Sequence, residues 1–336
     1  MMRHRWEKSP VTRVTFRGQH VHVKRDDVFH LTGNKMRKLY YFVKQSDAFY
    51  TNAHFYSYGG SQSNAMLALA QLAHARHVPF TYFSRSLQLK EDDAKGNLSR
   101  AKSLGMRHVQ LEPETYKKLI QRRHFASFVE ETLRPCPGTR SLYVPQGAAC
   151  PEAKVGVQVL ANEINDYVET HWPDKHFSVV IPCGTGTTAL YLAQYLQPET
   201  QLFAIPCVGD ATYLTQQFKQ LIIDDPSLDL HTAKMPQLLH PKRKNRFGRL
   251  WWPLCDMYHE VLQETQVEID LVYGAFAWHT LFSDEKILDE VLKGRNHLST
   301  ASTKHDEDVR KLLYVHTGGT SGNASMLARY ARKNKL

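Results

Sequence analysis

The stretch that decides the fold spans residues 177–196 and reads FSVVIPCGTGTTALYLAQYL. Four of its first five residues are apolar, which predicts a strand buried on both faces, and residues 189–196 have the pattern of a helix. A loop of glycines and threonines lies between them. Exposed backbone N–H groups and the positive end of the helix dipole face such a loop, so the stretch predicts an α/β unit with an anion site.

The rest of the chain repeats this alternation of strand-like and helical patterns, which predicts parallel sheets covered by helices. With 336 residues, the chain is long enough for about two domains. The predicted strands are 20–24, 55–58, 80–84, 107–111, 141–144, 177–182, 201–206, 267–272 and 311–316. The predicted helices are 37–46, 63–75, 114–133, 153–169, 211–222, 254–265 and 324–334.

The composition is that of a globular protein, with 42% hydrophobic and 23% charged residues. No apolar run is long enough to span a bilayer, and the start, MMRHRWEKSP, has no apolar leader behind its charges. The five cysteines contain no C-x-x-C pair, which argues against a zinc ribbon or a disulfide framework. We therefore expect a cytoplasmic protein without a membrane partner or a metal site.

The net charge of +10 is compatible with nucleic acid, a membrane surface or small anions as partners. The densest basic run, residues 240–252, interleaves cations with aromatic residues, as proteins that bind single-stranded nucleic acid do. A single short run of this kind before a helix is more often a solvated loop. We therefore expect no nucleic-acid partner.

The glycine and threonine loop contains Gly184, Thr185, Gly186, Thr187 and Thr188. Three hydroxyl groups suit the acceptor oxygens of a terminal monophosphate. The glycines, with the alanine that follows, also match G-x-G-x-x-A, so a nicotinamide-binding turn remains an alternative. The lack of G-K-[ST] argues against a P-loop NTPase.

A second motif spans residues 23–39 and reads VKRDDVFHLTGNKMRKL, where Lys35 opens a predicted helix. A single lysine at a helix start is usually a solvated surface residue. Here, the positive helix end would lower the pKa of its amine and make it the nucleophile that Schiff-base chemistry with a carbonyl cofactor requires. Arg37 and Lys38 are expected to be structural or solvated.

A third motif, YGGSQSN at residues 58–64, precedes an apolar helix. Serine and asparagine are ordinary helix caps. Alternatively, Ser61, Gln62, Ser63 and Asn64 present polar groups to a substrate carboxylate. Several predicted strands end in glycines, as at residues 316–319, and ligands of α/β sheets bind at such ends, so we expect one shared pocket.

These motifs together resemble the pyridoxal-phosphate enzymes typified by 1-aminocyclopropane-1-carboxylate deaminase and D-cysteine desulfhydrase. The shared motifs, in order, are KRDD, GNKxRKL, GGxQSN, the TGxT loop, DxVY and HxGG, from about residue 24 to residue 323. The resemblance implies an α/β fold of two open, twisted, mostly parallel sheets flanked by helices, as in the tryptophan synthase β-subunit (fold type II). It also implies a homodimer with pyridoxal 5'-phosphate between a large domain (1–46 and 156–336) and a small domain (47–155).

The same resemblance implies roles for individual residues. Lys35 would be the Schiff-base lysine, Asn64 would bind the 3′-oxygen of the cofactor, and Tyr273 would lie at the catalytic face. The 184–188 loop would hold the cofactor phosphate, and Thr317 would lie close to the cofactor ring. The substrate carboxylate would be bound by Ser61, Gln62, Ser63 and Asn64. Ser63 would also be a catalytic residue.

Two positions depart from the deaminase pattern. Gly274 stands where the deaminases place a glutamate against the pyridine nitrogen, and Phe247 is the nearest match to a second tyrosine used in ring opening. We therefore predict β-elimination and deamination of a small amino acid, as in a D-cysteine desulfhydrase, giving a 2-oxo acid and ammonia. The alternatives are a 1-aminocyclopropane-1-carboxylate deaminase proper, a nicotinamide-dependent oxidoreductase, and a nucleic-acid-binding or regulatory protein on a degenerate enzyme fold.

Overall fold

A computed structural model of the chain describes residues 8–86, 96–122, 125–173, 176–294 and 310–333. Most of the N-terminal stretch MMRHRWEKSP lies outside these ranges, because the description begins at Lys8. In the described residues, no helix combines the length and the hydrophobicity that crossing a bilayer requires.

The larger sheet has six strands, and all neighbouring pairs in it are parallel except the first. In chain order its strands are β1 (Val11–Phe16), β2 (Gln19–Arg25), β7 (Phe177–Cys183), β8 (Gln201–Pro206), β9 (Gln237–Leu238) and β10 (Lys311–His316). Their order across the sheet is β1-β2-β10-β7-β8-β9. The stretch at residues 177–196 thus supplies a central strand, β7.

The smaller sheet has four parallel strands. They are β3 (Ala53–Tyr58), β4 (Phe80–Arg85), β5 (Arg107–Leu111) and β6 (Arg140–Val144), in the order β5-β4-β3-β6. All four lie inside the range expected for the small domain, while the domain boundaries at 46–47 and 155–156 stay a prediction.

Helices cover both faces of each sheet. In the first half of the chain they are α1 (Lys35–Val43), α2 (Asn64–Ala75), α3 (Asn97–Ser103), α4 (Pro113–Arg122) and α5 (Phe125–Leu133). In the second half they are α6 (Ala153–His171), α7 (Thr187–Tyr195), α8 (Ala211–Asp224), α9 (Trp252–Thr265), α10 (Gly274–Phe282), α11 (Glu285–Lys293) and α12 (Asn323–Lys333).

Strand β10 shows why both faces of the larger sheet need cover. Leu312 and Tyr314 pack into one core with α9, α10, α11 and α12, and Leu313 and Val315 pack into another with α6, α7 and α8. Successive side chains of a strand point to opposite faces, and here both sets are apolar. The predicted parallel α/β arrangement is confirmed.

Helix α1 joins the two sheets. Its Leu39 and Phe42 pack with β3 and α2 in the core of the smaller sheet, whereas its backbone crosses α6 of the larger one. At Gly156 of α6, an added Cβ would lie 2.0 Å from the carbonyl oxygen of Arg37. Only glycine allows the two helices to approach this closely.

The prediction of a strand at 267–272 is wrong. The apolar side chains of Val267, Ile269 and Leu271 are buried at alternate positions, as in a strand. However, the Nδ2 group of Asn323 donates to the carbonyl oxygen of Ile269 at 3.0 Å, and Asn323 Oδ1 accepts from the N–H of Leu271 at 3.0 Å. A side chain thus satisfies backbone groups that a neighbouring strand would otherwise bind.

The structure also contains elements that the sequence patterns do not predict. These are β1, β9, α3, α10 and α11. The helix predicted at 114–133 corresponds to α4 and α5, with residues 123–124 outside the described ranges.

Candidate active site

The predicted site residues come together where the ends of β7 and β10 meet the first turn of α1. Asn34 immediately precedes Lys35, and its backbone N–H donates to the carbonyl oxygen of Thr317 after β10 at 2.8 Å. Its side-chain Oδ1 accepts from Thr188 Oγ1 at the start of α7 at 2.8 Å. Asn34 therefore fixes Lys35 relative to both strand ends.

The loop between β7 and α7 has the geometry expected of an anion cradle. Gly186 adopts a left-handed conformation (φ 72°) directly before the helix, and an added Cβ there would lie 2.4 Å from Phe218 Cε1. Thr185 Oγ1 and Thr187 Oγ1 are 2.9 Å apart. The first N–H groups of a helix have no intrahelical acceptor, so this turn presents donors and a positive dipole end.

Lys38 was expected to be structural or solvated, and its burial excludes the solvated option. Its side chain is buried, and its ammonium donates to the carbonyl oxygen of Gly147 at 3.0 Å and approaches Thr185 Oγ1 at 3.4 Å. Burial, with the charge of Lys35 close by, holds the pKa of Lys38 well below its usual value. In the described residues, no carboxylate pairs with it.

Arg37 is also fully buried, but in a network of charges. It contacts Asp26 Oδ1 at 2.9 Å and Glu163 Oε2 at 2.7 Å, and Lys24 contacts the same Glu163 oxygen at 2.6 Å. Asn34 Nδ2 donates to Asp26 Oδ2 at 3.2 Å. The network therefore ties the first turn of α1, with Lys35 in it, to β2 and α6.

Lys35 itself is the first residue of α1. Burial lowers its pKa, and the carboxylate of Asp270 opposes part of that effect. A lower pKa leaves more of the amine neutral near pH 7, and the neutral amine is the nucleophile.

Asp270 lies four residues before α10 begins, and its charge acts on Lys35. Its carboxylate accepts N–H groups from Val272, Tyr273 and Gly274 at 3.1, 2.7 and 2.9 Å. Burial nevertheless raises its pKa, since the group is cut off from water. Asp270 thus holds the turn that orients Tyr273.

The Tyr273 side chain reaches the loop between β7 and α7. A Cβ placed on Gly184 would lie 3.3 Å from the Tyr273 hydroxyl oxygen, and the Tyr273 ring packs against Phe247 with 5.2 Å between centroids. Burial raises the pKa of Tyr273, so its hydroxyl stays protonated and can donate. The structure therefore brings the two aromatic positions of the resemblance side by side.

The smaller sheet contributes the start of α2. Asn64 Nδ2 lies 2.4 Å from the position that a Cβ on Gly319 would take, and Thr32 Oγ1 donates to the carbonyl oxygen of Asn64 at 2.9 Å. Asn64 Oδ1 accepts from Asn97 Nδ2 at 2.8 Å. Asn64 thus lies between α3 and the loop that follows β10.

The neighbouring polar residues are partly used as caps. Ser63 Oγ accepts from the N–H of Met66 at 3.3 Å, which confirms the helix-cap interpretation. Gln62 Oε1 accepts from the N–H of Asn97 at 2.8 Å, at the start of α3, and Ser61 is half-buried in the same turn. Their binding of a substrate carboxylate stays a prediction.

Three residues of this site were missed in the sequence. Lys38 had a usable signal, because it follows Lys35 by three positions and helical residues so spaced share a face. Asp270 is part of the DxVY motif but was not given a role. Asn97 carried no signal, since only the tertiary structure brings α3 beside α2.

Comparisons with known proteins identify similar chains over nearly the whole length. No family model matches the sequence. A bifunctional D-cysteine desulfhydrase/1-aminocyclopropane-1-carboxylate deaminase, mitochondrial, from Arabidopsis thaliana is 23% identical over 328 residues, covering 95% of this chain and 76% of that protein.

Two solved structures have the same fold. The crystal structure of an ACC deaminase homologue superposes with a TM-score of 0.72 at 22% identity, covering 96% of this chain and 94% of that one. A pyridoxal 5'-phosphate-dependent aspartate racemase gives a TM-score of 0.55 at 12% identity, covering 93% and 90%. The resemblance and the fold class predicted from the sequence are confirmed.

The buried charge network yields a prediction on stability. Glu163→Ala leaves Lys24 and Arg37 buried without their shared carboxylate, and we expect a loss of about 3–5 kcal/mol in the free energy of unfolding. Denaturant titration measures it. Asp166→Ala is the matched control on the same helix, because it breaks the exposed pair with Lys8 and should cost at most about 1 kcal/mol. Equal losses in both variants would contradict the assigned role of the network.

Proposed function

We propose that this chain is a pyridoxal-phosphate-dependent enzyme that eliminates a β-substituent from a small amino acid, as a D-cysteine desulfhydrase does. The observation that carries the proposal is the position of two amines, the half-buried Lys35 and the buried Lys38, beside a helix-start anion loop. The chain is similar over 95% of its length to a protein named for this activity.

The residues of the loop fit the cofactor phosphate. A buried ammonium without a carboxylate partner is costly, and a phosphate dianion bound between Lys38 and the N–H groups at the start of α7 would compensate it. Thr185 adds a hydroxyl donor on the Lys38 side. Thr188 instead donates to Asn34, which assigns it to holding the Lys35 turn.

We assign separate roles in the reaction to Lys35, Tyr273 and Asn64. When bound, pyridoxal phosphate supplies the conjugated ring that stabilises negative charge at the substrate α-carbon. We assign to Lys35 the covalent link to the cofactor and, once the substrate amine has displaced it, removal of the α-proton. Tyr273, kept protonated by burial, donates to the departing group, and Asn64 binds the cofactor from the α2 side.

Two features of the site favour elimination over opening of a cyclopropane ring. Phe247 packs against Tyr273 but carries no hydroxyl to assist ring opening. At Gly274, a Cβ would lie 3.0 Å from Asp270 Oδ2 and 3.1 Å from Ile269 Cβ, so the packing has closed around a residue with no side chain. Elimination of a good β-leaving group depends less on a hydroxyl at position 247 or a side chain at position 274.

The wider setting is part of the proposal. The resemblance supports a homodimer with the cofactor between a large domain (1–46 and 156–336) and a small one (47–155). All five cysteines are free, and four of them are buried, which supports a reducing compartment such as the cytoplasm.

The first prediction concerns Lys35. Borohydride reduction of the protein loaded with pyridoxal phosphate should fix the cofactor on Lys35, as peptide mapping would show. Lys35→Ala should abolish both the adduct and turnover, while Lys44→Ala, which removes an exposed amine at the other end of α1, should leave both unchanged. An adduct on Lys38 would refute the assignment.

The phosphate loop gives a second prediction. Thr185→Val removes one hydroxyl donor to a charged group, worth on the order of 1.5–3 kcal/mol, so the cofactor should bind about tenfold more weakly or worse. Equilibrium dialysis measures the change. Thr215→Val is the control, because the Thr215 hydroxyl donates to Ala211 within its own helix. Unchanged affinity in Thr185→Val would mean that the loop serves another anion.

The third prediction concerns substrate choice. The protein should release a 2-oxo acid and ammonia from D-cysteine or β-chloroalanine and leave 1-aminocyclopropane-1-carboxylate essentially intact. A keto-acid assay measures all three, and Lys35→Ala supplies the background rate. Comparable rates on the cyclopropane substrate and on β-chloroalanine would overturn the elimination assignment but not the cofactor assignment.

A further inference from the structure

The basic run of the sequence forms a cavity that the proposed activity does not use. The cavity has a volume of about 260 Å³ and is lined by five cations, Arg243, Lys244, Arg246, Arg249 and Lys333. No acidic side chain lines it. In the described part of the chain, Lys244 alone of the five pairs with a carboxylate, that of Asp210 at 2.8 Å.

The cations are exposed, so solvent would weaken their mutual repulsion, and charge alone does not make a site. This cavity is a candidate site because hydrogen bonds connect the loop and the helix that form its walls. Tyr330 of α12 hydrogen bonds to both the N–H and the carbonyl oxygen of Trp251, at 3.1 and 3.0 Å. Arg329 donates to the carbonyl oxygen of Gly248 at 3.0 Å. The loop and the helix that carries Lys333 therefore keep a fixed spacing.

The loop is also anchored on its other side. Asn245 Nδ2 donates to the carbonyl oxygen of Cys207, after β8, at 2.8 Å. Phe247 packs on Tyr273 and is not among the residues that line the cavity. The cavity is thus separate from the candidate active site, although one loop borders both.

We propose that this cavity binds a small anion that carries two or more phosphate groups. Three of the five cations are arginines, whose planar guanidinium groups bind phosphate oxygens in pairs. The cavity volume of about 260 Å³ is several times the roughly 30 Å³ that one water occupies in the liquid, so the cavity has room for more than one phosphate group. A single carboxylate would leave most of the positive charge unmatched.

The arrangement of the aromatic residues argues against single-stranded nucleic acid as the occupant. Binding of that kind needs aromatic faces on which bases can stack. Here Trp251 is covered by the Arg243 guanidinium at 4.2 Å and packs against His279 at 4.8 Å. Trp252 packs against Tyr330 at 5.2 Å. The aromatic residues that made the basic run resemble a nucleic-acid site are occupied within the fold.

The test is equilibrium dialysis of the cofactor-loaded protein against inorganic pyrophosphate at constant ionic strength. With the cofactor loop filled, we expect one further saturable site per chain. The double variant Arg246→Ala/Arg249→Ala should weaken binding by about tenfold or more, since two charge-assisted contacts are lost. The matched control, Lys117→Ala/Lys118→Ala, removes the same charge from exposed positions on α4 and should bind as the wild type does.

Each contrary result overturns the proposal. The absence of saturable binding by the wild type would do so, as would an equal loss in the control, which would mean that only net charge matters. Displacement of pyrophosphate by a much more tightly bound single-stranded oligonucleotide would assign the surface to nucleic acid. Thermal melting checks the fold of each variant, and Lys333→Ala, on the other wall, provides an independent loss of binding if the double variant fails to fold.

Discussion

The four buried charges of Lys24, Asp26, Arg37 and Glu163 are the interaction on which the site depends. They join β2, the turn after it, α1 and α6, and Asp26 also holds Asn34, the residue before Lys35. Buried ion pairs of this kind add little net stability compared with apolar packing, but removing one partner is costly. The network therefore specifies the register of α1 against α6, because the four charges pair with one another in this register.

The charge network lies beside a close crossing of α1 and α6. The carbonyl of Arg37 lies against Gly156, where no side chain fits, so charge pairing and backbone contact define the same position of α1. The apolar face of α1 meanwhile packs with the smaller sheet. One helix thus belongs to the cores of both sheets, and its first turn lies where their loops meet. Lys35 is placed by these two contacts rather than by the intrinsic preference of the helix start, which disfavours a cation.

The positive charges of the candidate active site and of the second cavity differ in their exposure to water. Lys38 is buried and Lys35 is half-buried, and desolvation lowers the pKa values of both amines and makes an anion near them favourable. Around the second cavity the cations stay exposed, and hydrogen bonds between α12 and the loop backbone set their arrangement. The chain's net charge of +10 therefore does not describe one surface property. Some of the positive charge is buried, as at Lys38, and some is exposed, as around the second cavity.

The sequence by itself determined the α/β class, most strands and helices, the glycine and threonine loop before α7, and the position of Lys35 at a helix start. These follow from local patterns, namely periodicity, caps and glycine turns, and ordered motifs carried the family resemblance. It did not determine that 267–272 lacks strand pairing, because the side chain of Asn323 takes its backbone bonds. Nor did it determine the burial of Arg37 and Lys38, since the sequence does not show what each helix face packs against. Those outcomes depend on residues far apart in the chain, 52 positions for Leu271 and Asn323 and 126 for Arg37 and Glu163, and only the tertiary structure brings them into contact.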